Sequence, residues 1–146
     1  MKDFILTRLW PLIAGLLLAF VVMTLLEYAN SFIYPLPEGL DISDPQAVRV
    51  FTATLPWMAY ILVLAGWILG ALTAGLLTTY LSGEQKYRLS FLVGIILTLL
   101  GIINNVLIGH SMFFNMVGLP MFIIFTYLGH RYMRRMHAAQ YEPSGI

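Results

Sequence analysis

Four long apolar runs separated by short polar breaks lay out the plan of this chain. They extend from about Leu9 to Ile33, from about Pro56 to Leu81, from about Leu89 to Ile108 and from about Met112 to Tyr132. A helix crosses the hydrocarbon core of a bilayer in about 20 residues, so each run predicts one transmembrane helix. Lys2 and Arg8 precede the first run in the manner of a signal peptide. The run exceeds the about 7–15-residue apolar core of a cleaved signal, and no small-x-small site follows it, so it reads as a retained span. The breaks after the second and third runs are short, which predicts antiparallel hairpins of neighbouring helices. The expected fold is all-α: one transmembrane domain over residues 1–146, a four-helix antiparallel bundle.

The long polar break, from Tyr34 to about Leu55, has its own grammar. Tyr34-Pro35-Leu36-Pro37-Glu38-Gly39 is extended or turned, because each proline disfavours helix in the residue before it. Asp44 is placed to cap a helix, with Pro45 at its first position. Ala47 to Leu55 then reads as a short interfacial helix, and Pro56 interrupts it before the second span.

Composition agrees with lipid as the solvent. Of 146 residues, 60% are hydrophobic and 10% charged, against about 25% charged in a soluble domain. There are no cysteines, which excludes disulfides, thiolate metal sites and cysteine nucleophiles. No phosphate-binding glycine loop, dinucleotide fingerprint or basic nucleic-acid tract is present, so neither a nucleotide cofactor nor a nucleic-acid partner is expected.

Charge sets the orientation. Lys2, Arg8, Lys86, Arg88, Arg131, Arg134 and Arg135 fall on one side of a four-span topology, and Arg49 alone falls on the other, beside Glu38, Asp41 and Asp44. The positive-inside rule places both termini in the cytoplasm and the 34–55 loop outside. Trp10, Tyr80, Tyr87 and Tyr132 then mark the inner interface; Tyr28, Tyr34, Trp57 and Tyr60 mark the outer one. A basic tail over 133–146, with which His130 and His137 are grouped, follows the last run, and Arg131, Arg134 and Arg135 are expected to meet anionic lipid.

Small residues recur at helical spacing: Gly66, Gly70 and Ala74 on one face of the second span, Ala71 and Gly75 on a neighbouring face, and Gly94, Thr98, Gly101 and Asn105 on the third. Such stripes let membrane helices approach closely, either within the chain or against a partner.

The candidate chemistry centres on Glu27. An ionisable group inside a span costs roughly 2.5–3.5 kcal/mol at the membrane centre and less near an interface. Thr24, Glu27, Ser31 and Tyr34 share one face of the first span, with Asn30 beside them. At about 1.5 Å per residue, Glu27 and the pair Asn104 and Asn105 lie at the same depth, roughly 6–10 Å below the outer surface. His110 follows at the end of the third span, and Asn115 opens the fourth. A polar pocket of Glu27, Asn30, Ser31, Asn104, Asn105 and His110 near the outer leaflet is one reading. A helix clamp is the other, each interhelical hydrogen bond contributing about 0.6 kcal/mol. Glu27 and His110 are too few ligands for zinc, which takes at least three from protein. Ser31 or Ser111 near His110 makes only a weak nucleophile, so no catalytic residue is assigned.

Tyr34-Pro35-x-Pro37-x-Gly39-Leu40-Asp41-x-Ser43-Asp44-Pro45, Leu55-Pro56 and Gly66-Trp67-x-x-Gly70-Ala71 resemble a family of small bacterial four-span membrane proteins of unknown function. The resemblance implies a glutamate closing the first span (Glu27), a later asparagine (Asn104 or Asn105), and a histidine turn followed by an aromatic (His110, then Phe113 or Phe114). Gly109 and Ser111 flank His110 where similar members often carry prolines. The resemblance implies a span count and no activity. Two function classes stay open: a non-enzymatic accessory or assembly subunit packing against a larger membrane protein or itself, and a small-molecule or lipid-head-group site at Glu27 serving an enzyme or transporter.

Overall fold

The computed structural model of the chain describes residues 5–83, 87–108 and 112–141. Five α-helices carry nearly all of them: α1 Trp10–Ile33, α2 Pro45–Thr54, α3 Trp57–Ser82, α4 Arg88–Ile108 and α5 Met112–Tyr141. A π-helical turn, Ile5–Leu9, leads into α1, with Pro11 in the first turn where its missing donor costs nothing. No strand occurs among the described residues.

Local chemistry places the breaks. Asp44 is extended, and its Oδ1 accepts the Gln46 N–H at 2.9 Å, so one orphan donor of α2 is satisfied while Pro45 supplies a preset φ. Pro56, also extended, separates α2 from α3. Gly83 ends α3 in the left-handed region at φ 59°, and its N–H donates to the Thr79 carbonyl at 3.1 Å. At the same end as Ile33, Arg49 of α2 donates to the Val106 carbonyl at 2.6 Å. A guanidinium on one of the last carbonyls of α4 opposes the negative end of that helix dipole.

Among the described residues, Thr7–Ile33, Trp57–Ser82 and Arg88–Val106 are long and apolar enough to cross a membrane. The chain is therefore a multi-pass helical membrane protein. The expected fourth span, α5, is not among these three. Its apolar run is broken by Asn115, Pro120 and Thr126 and turns basic from His130 onward. Its helix also continues nine residues past Tyr132, so the first part of the expected tail is helix.

α3 is the central helix. One face packs on α1 and another on α5, while α4 packs mainly on α5. Glycine permits both contacts. A Cβ on Gly70 would sit 2.8 Å from Met23 Cε and 3.1 Å from the Ala19 carbonyl. A Cβ on Gly75 would meet the Thr126 backbone, and one on Gly129 the α3 backbone at Leu72 and Leu76. The small-residue stripe Gly66, Gly70 and Ala74 thus lies against α1, and Ala71 with Gly75 turns toward α5. Gly94 and Gly101 of α4 lie against Thr126, Ile123 and Phe122 of α5. The core is built on Trp67, 3% exposed, with its ring stacked on Phe122 at 5.0 Å and edge-on to Phe114 at 5.2 Å.

Candidate functional site

Two polar clusters stand at opposite ends of the bundle. The first contains Glu27. α1 and α4 touch sparsely, and the seam between them opens into a cavity of about 280 Å3. Thr24, Glu27 and Asn104 supply its polar wall; Phe20, Met23 and Leu100 contribute to the apolar remainder. The i, i+3, i+7 succession Phe20, Met23, Glu27 is one helix face, which puts the carboxylate at the outer end of that apolar strip. No hydrogen bond or ion pair joins Glu27 to another described residue.

The other expected members of this pocket go elsewhere. Asn30 donates from Nδ2 to the Ala59 carbonyl of α3 at 3.4 Å, leaving its buried Oδ1 unpartnered. Ser31 donates to the Tyr28 carbonyl of its own helix at 2.7 Å. Asn105 is buried, 7% exposed, with neither amide atom partnered. It does not line the seam cavity, and Asn115 Oδ1 is likewise buried and unpartnered. His110 and Ser111 lie outside the described residues. The structure thus brings Glu27 and Asn104 to one cavity and leaves unsatisfied amide atoms in the same half of the bundle. Buried amides without partners cost about 1–3 kcal/mol each.

The second cluster was not legible as a site. His130, read in the sequence as part of the basic tail, is 4% exposed and sits where α3, α4 and α5 meet. The Thr79 hydroxyl lies 3.0 Å from His130 Nδ1, 3.0 Å from Ser90 Oγ and 2.8 Å from the Gly75 carbonyl. One hydroxyl proton cannot serve all three, so Ser90 and His130 must both donate to Thr79 Oγ1 when Thr79 donates to Gly75. Tyr87 closes the cluster: its hydroxyl donates to the Ile123 carbonyl at 2.9 Å and lies 3.0 Å from Thr126 Oγ1. The available signal was periodicity, since Phe122, Thr126 and His130 follow one another at i+4 along a buried face.

No group of three or more potential metal ligands occurs among the described residues. Thr79, Ser90 and His130 resemble the parts of a nucleophilic site, but all three are buried. Arg131, Arg134 and Arg135 are exposed at the same end. Comparison with protein-family models, curated proteins and solved structures finds no match to this chain.

Proposed function

We propose that the chain is a non-enzymatic accessory or assembly subunit that receives a transmembrane helix of a larger membrane protein at the α1–α4 seam. The supporting observation is Glu27: a carboxylate within an apolar span, lining a cavity with Thr24 and Asn104 yet bonded to no described residue. A carboxylate at that depth needs a donor. A hydroxyl, amide or basic side chain from a neighbouring helix supplies one while covering the apolar walls of the seam. Glu27 and Asn104 are then interface groups awaiting that helix. In this reading α5 is a fourth span, both termini are cytoplasmic, the membrane is the bacterial inner membrane, and α2 lies at its outer face. The resemblance to small four-span membrane proteins is consistent with that arrangement and assigns no activity.

The second reading, a small-molecule or lipid-head-group site at Glu27, is favoured by the shape of the cavity, which has a polar wall at one end. The volume, about 280 Å3, lies at the lower edge of the about 300–1,000 Å3 of small-molecule sites and equally suits an inserted side chain. A photo-crosslinking residue at Ile103, exposed on the seam, separates the readings, with Leu25 on another face of α1 as control. The expected result is one discrete protein adduct from Ile103 in intact cells, absent from Leu25 and lost with Glu27→Leu in folded protein. A small-molecule adduct at Ile103 supports the second reading. An adduct unaffected by Glu27→Leu overturns both.

A further inference from the structure

The basic end of α5 is shaped as well as charged. His130 and Arg131 each lie three or four residues from both Tyr127 and Arg134, a spacing that stacks side chains on one side of a helix. With Arg135, and with Tyr87 from the start of α4, they enclose a cavity of about 710 Å3. No Asp or Glu lines it among the described residues. One wall is anchored: Tyr87 is tied to the Ile123 carbonyl, and His130 Nδ1 is 3.0 Å from Thr79. Three arginines line this one cavity, and planar guanidinium forks suit the several acceptor oxygens of a phosphate.

A second cavity, about 480 Å3, adjoins it on the neighbouring face of α5. Leu72 and Leu76 of α3 and Leu128 of α5 form its apolar floor, and Arg131 and Arg135 stand at its edge. The same two arginines therefore border a basic cavity and an apolar groove. Leu72 lies ten residues before Ser82, the end of α3, so the groove reaches about 15 Å toward the middle of the bundle. A free phosphate uses only the basic part. A phospholipid uses both, with its head group among the arginines and an acyl chain along the leucines.

We infer that this end of α5 binds one anionic phospholipid, its phosphate held by Arg131 and Arg135 and an acyl chain laid along Leu72, Leu76 and Leu128. This differs from diffuse attraction between a basic tail and a charged surface, because it has a stoichiometry and requires both cavities. Native mass spectrometry of the full chain released from detergent tests it, with phosphatidylglycerol, phosphatidylcholine and glycerol 3-phosphate as probes. The expected result is one phosphatidylglycerol per chain, retained where phosphatidylcholine is stripped, with glycerol 3-phosphate failing to displace it at equal concentration. The double variant R131Q/R135Q should bind phosphatidylglycerol about thirtyfold more weakly, at about fivefold for each basic residue lost. R88Q, which removes an exposed arginine outside both cavities, should change nothing. Leu128→Trp, which fills the groove from an exposed position, provides a second route if the double variant does not fold, and should also weaken retention. Equal retention of the two lipids, or an R88Q loss matching R131Q/R135Q, overturns the inference. Full displacement by glycerol 3-phosphate does so too, reducing the site to a free-phosphate one.

Discussion

Gly75 is the position where one added methyl group should do the most damage. Its Cβ would lie 2.9 Å from both the carbonyl carbon and the Cα of Thr126, and nearer still to the carbonyl oxygen. These are backbone atoms of α5, so no side-chain rotamer can relieve the overlap. Reaching ordinary contact requires α3 and α5 to separate by about 1 Å, and overpacking of this kind costs about 1–3 kcal/mol. The same displacement stretches the 3.0 Å contact between Thr79 and His130 to about 4 Å, beyond hydrogen-bond range. Opening a buried bond without water to replace it adds about 1–3 kcal/mol. Less the about 1 kcal/mol that alanine gains over glycine in helix propensity, the expected destabilisation by Gly75→Ala is therefore about 1–5 kcal/mol. Gly66→Ala is the internal reference. There the nearest atom to the new Cβ is Leu26 Cβ at 3.4 Å, an ordinary contact. The about 1 kcal/mol gain in helix propensity then leaves that variant at or slightly above the parent. Unfolding in mixed micelles with rising dodecyl sulfate, followed through the fluorescence of buried Trp67, measures both. A Gly75→Ala midpoint equal to that of Gly66→Ala would refute the α3–α5 contact and the energetics built on it.

Two further outcomes follow from local chemistry. Asp41 accepts from the Ser43 hydroxyl at 2.6 Å and from its backbone N–H at 2.9 Å; the hydroxyl first, then the N–H, holds its carboxyl below the ordinary range despite a small opposing effect of desolvation. A depressed folded pKa stabilises the loop above the ordinary carboxylate value and loses that contribution as pH falls through the folded value; a carbon-detected titration should show this, with Ser43→Ala raising the midpoint, and an unchanged midpoint contradicts it. Thr79→Val, nearly isosteric, should cost about 1–3 kcal/mol by leaving Ser90 and His130 short of a partner, and should shift the His130 ring-nitrogen resonances; unchanged resonances would place His130 outside the cluster.

The helices were legible because lipid-facing segments must be long and apolar, and the start of α2 was legible because Asp44-Pro45 has few other uses. The pairing of helices was harder to read. Short connections favour α3 beside α4, yet the more extensive contact of α3 is with α5, because Gly75 and Gly129 let those two backbones approach more closely. His130 was misread for a related reason. Arg131, Arg134 and Arg135 around it carry an exposed signal, while burial of the ring depends on which turn of α5 faces Thr79. At the other end, matching depths of Glu27 and Asn104 led to a shared cavity, but depth says nothing of rotation. Asn105, one residue on, faces elsewhere. Asn30 and Ser31 found backbone carbonyls, an outcome that residue type alone does not distinguish from a ligand site.

The two glycine-lined faces of α3 also bear on the order of synthesis. α1 precedes α3 and can pack on the Gly66 and Gly70 face as soon as α3 enters the bilayer. The Gly75 face finds its partner only when α5, made after α3 and α4, arrives. Until then α3 presents glycine notches and the Thr79 hydroxyl to lipid, with α4 alone covering little of them. A nascent chain halted before α5 is thus left with an open side in its second span, and the arrival of α5 in the bilayer is what closes it.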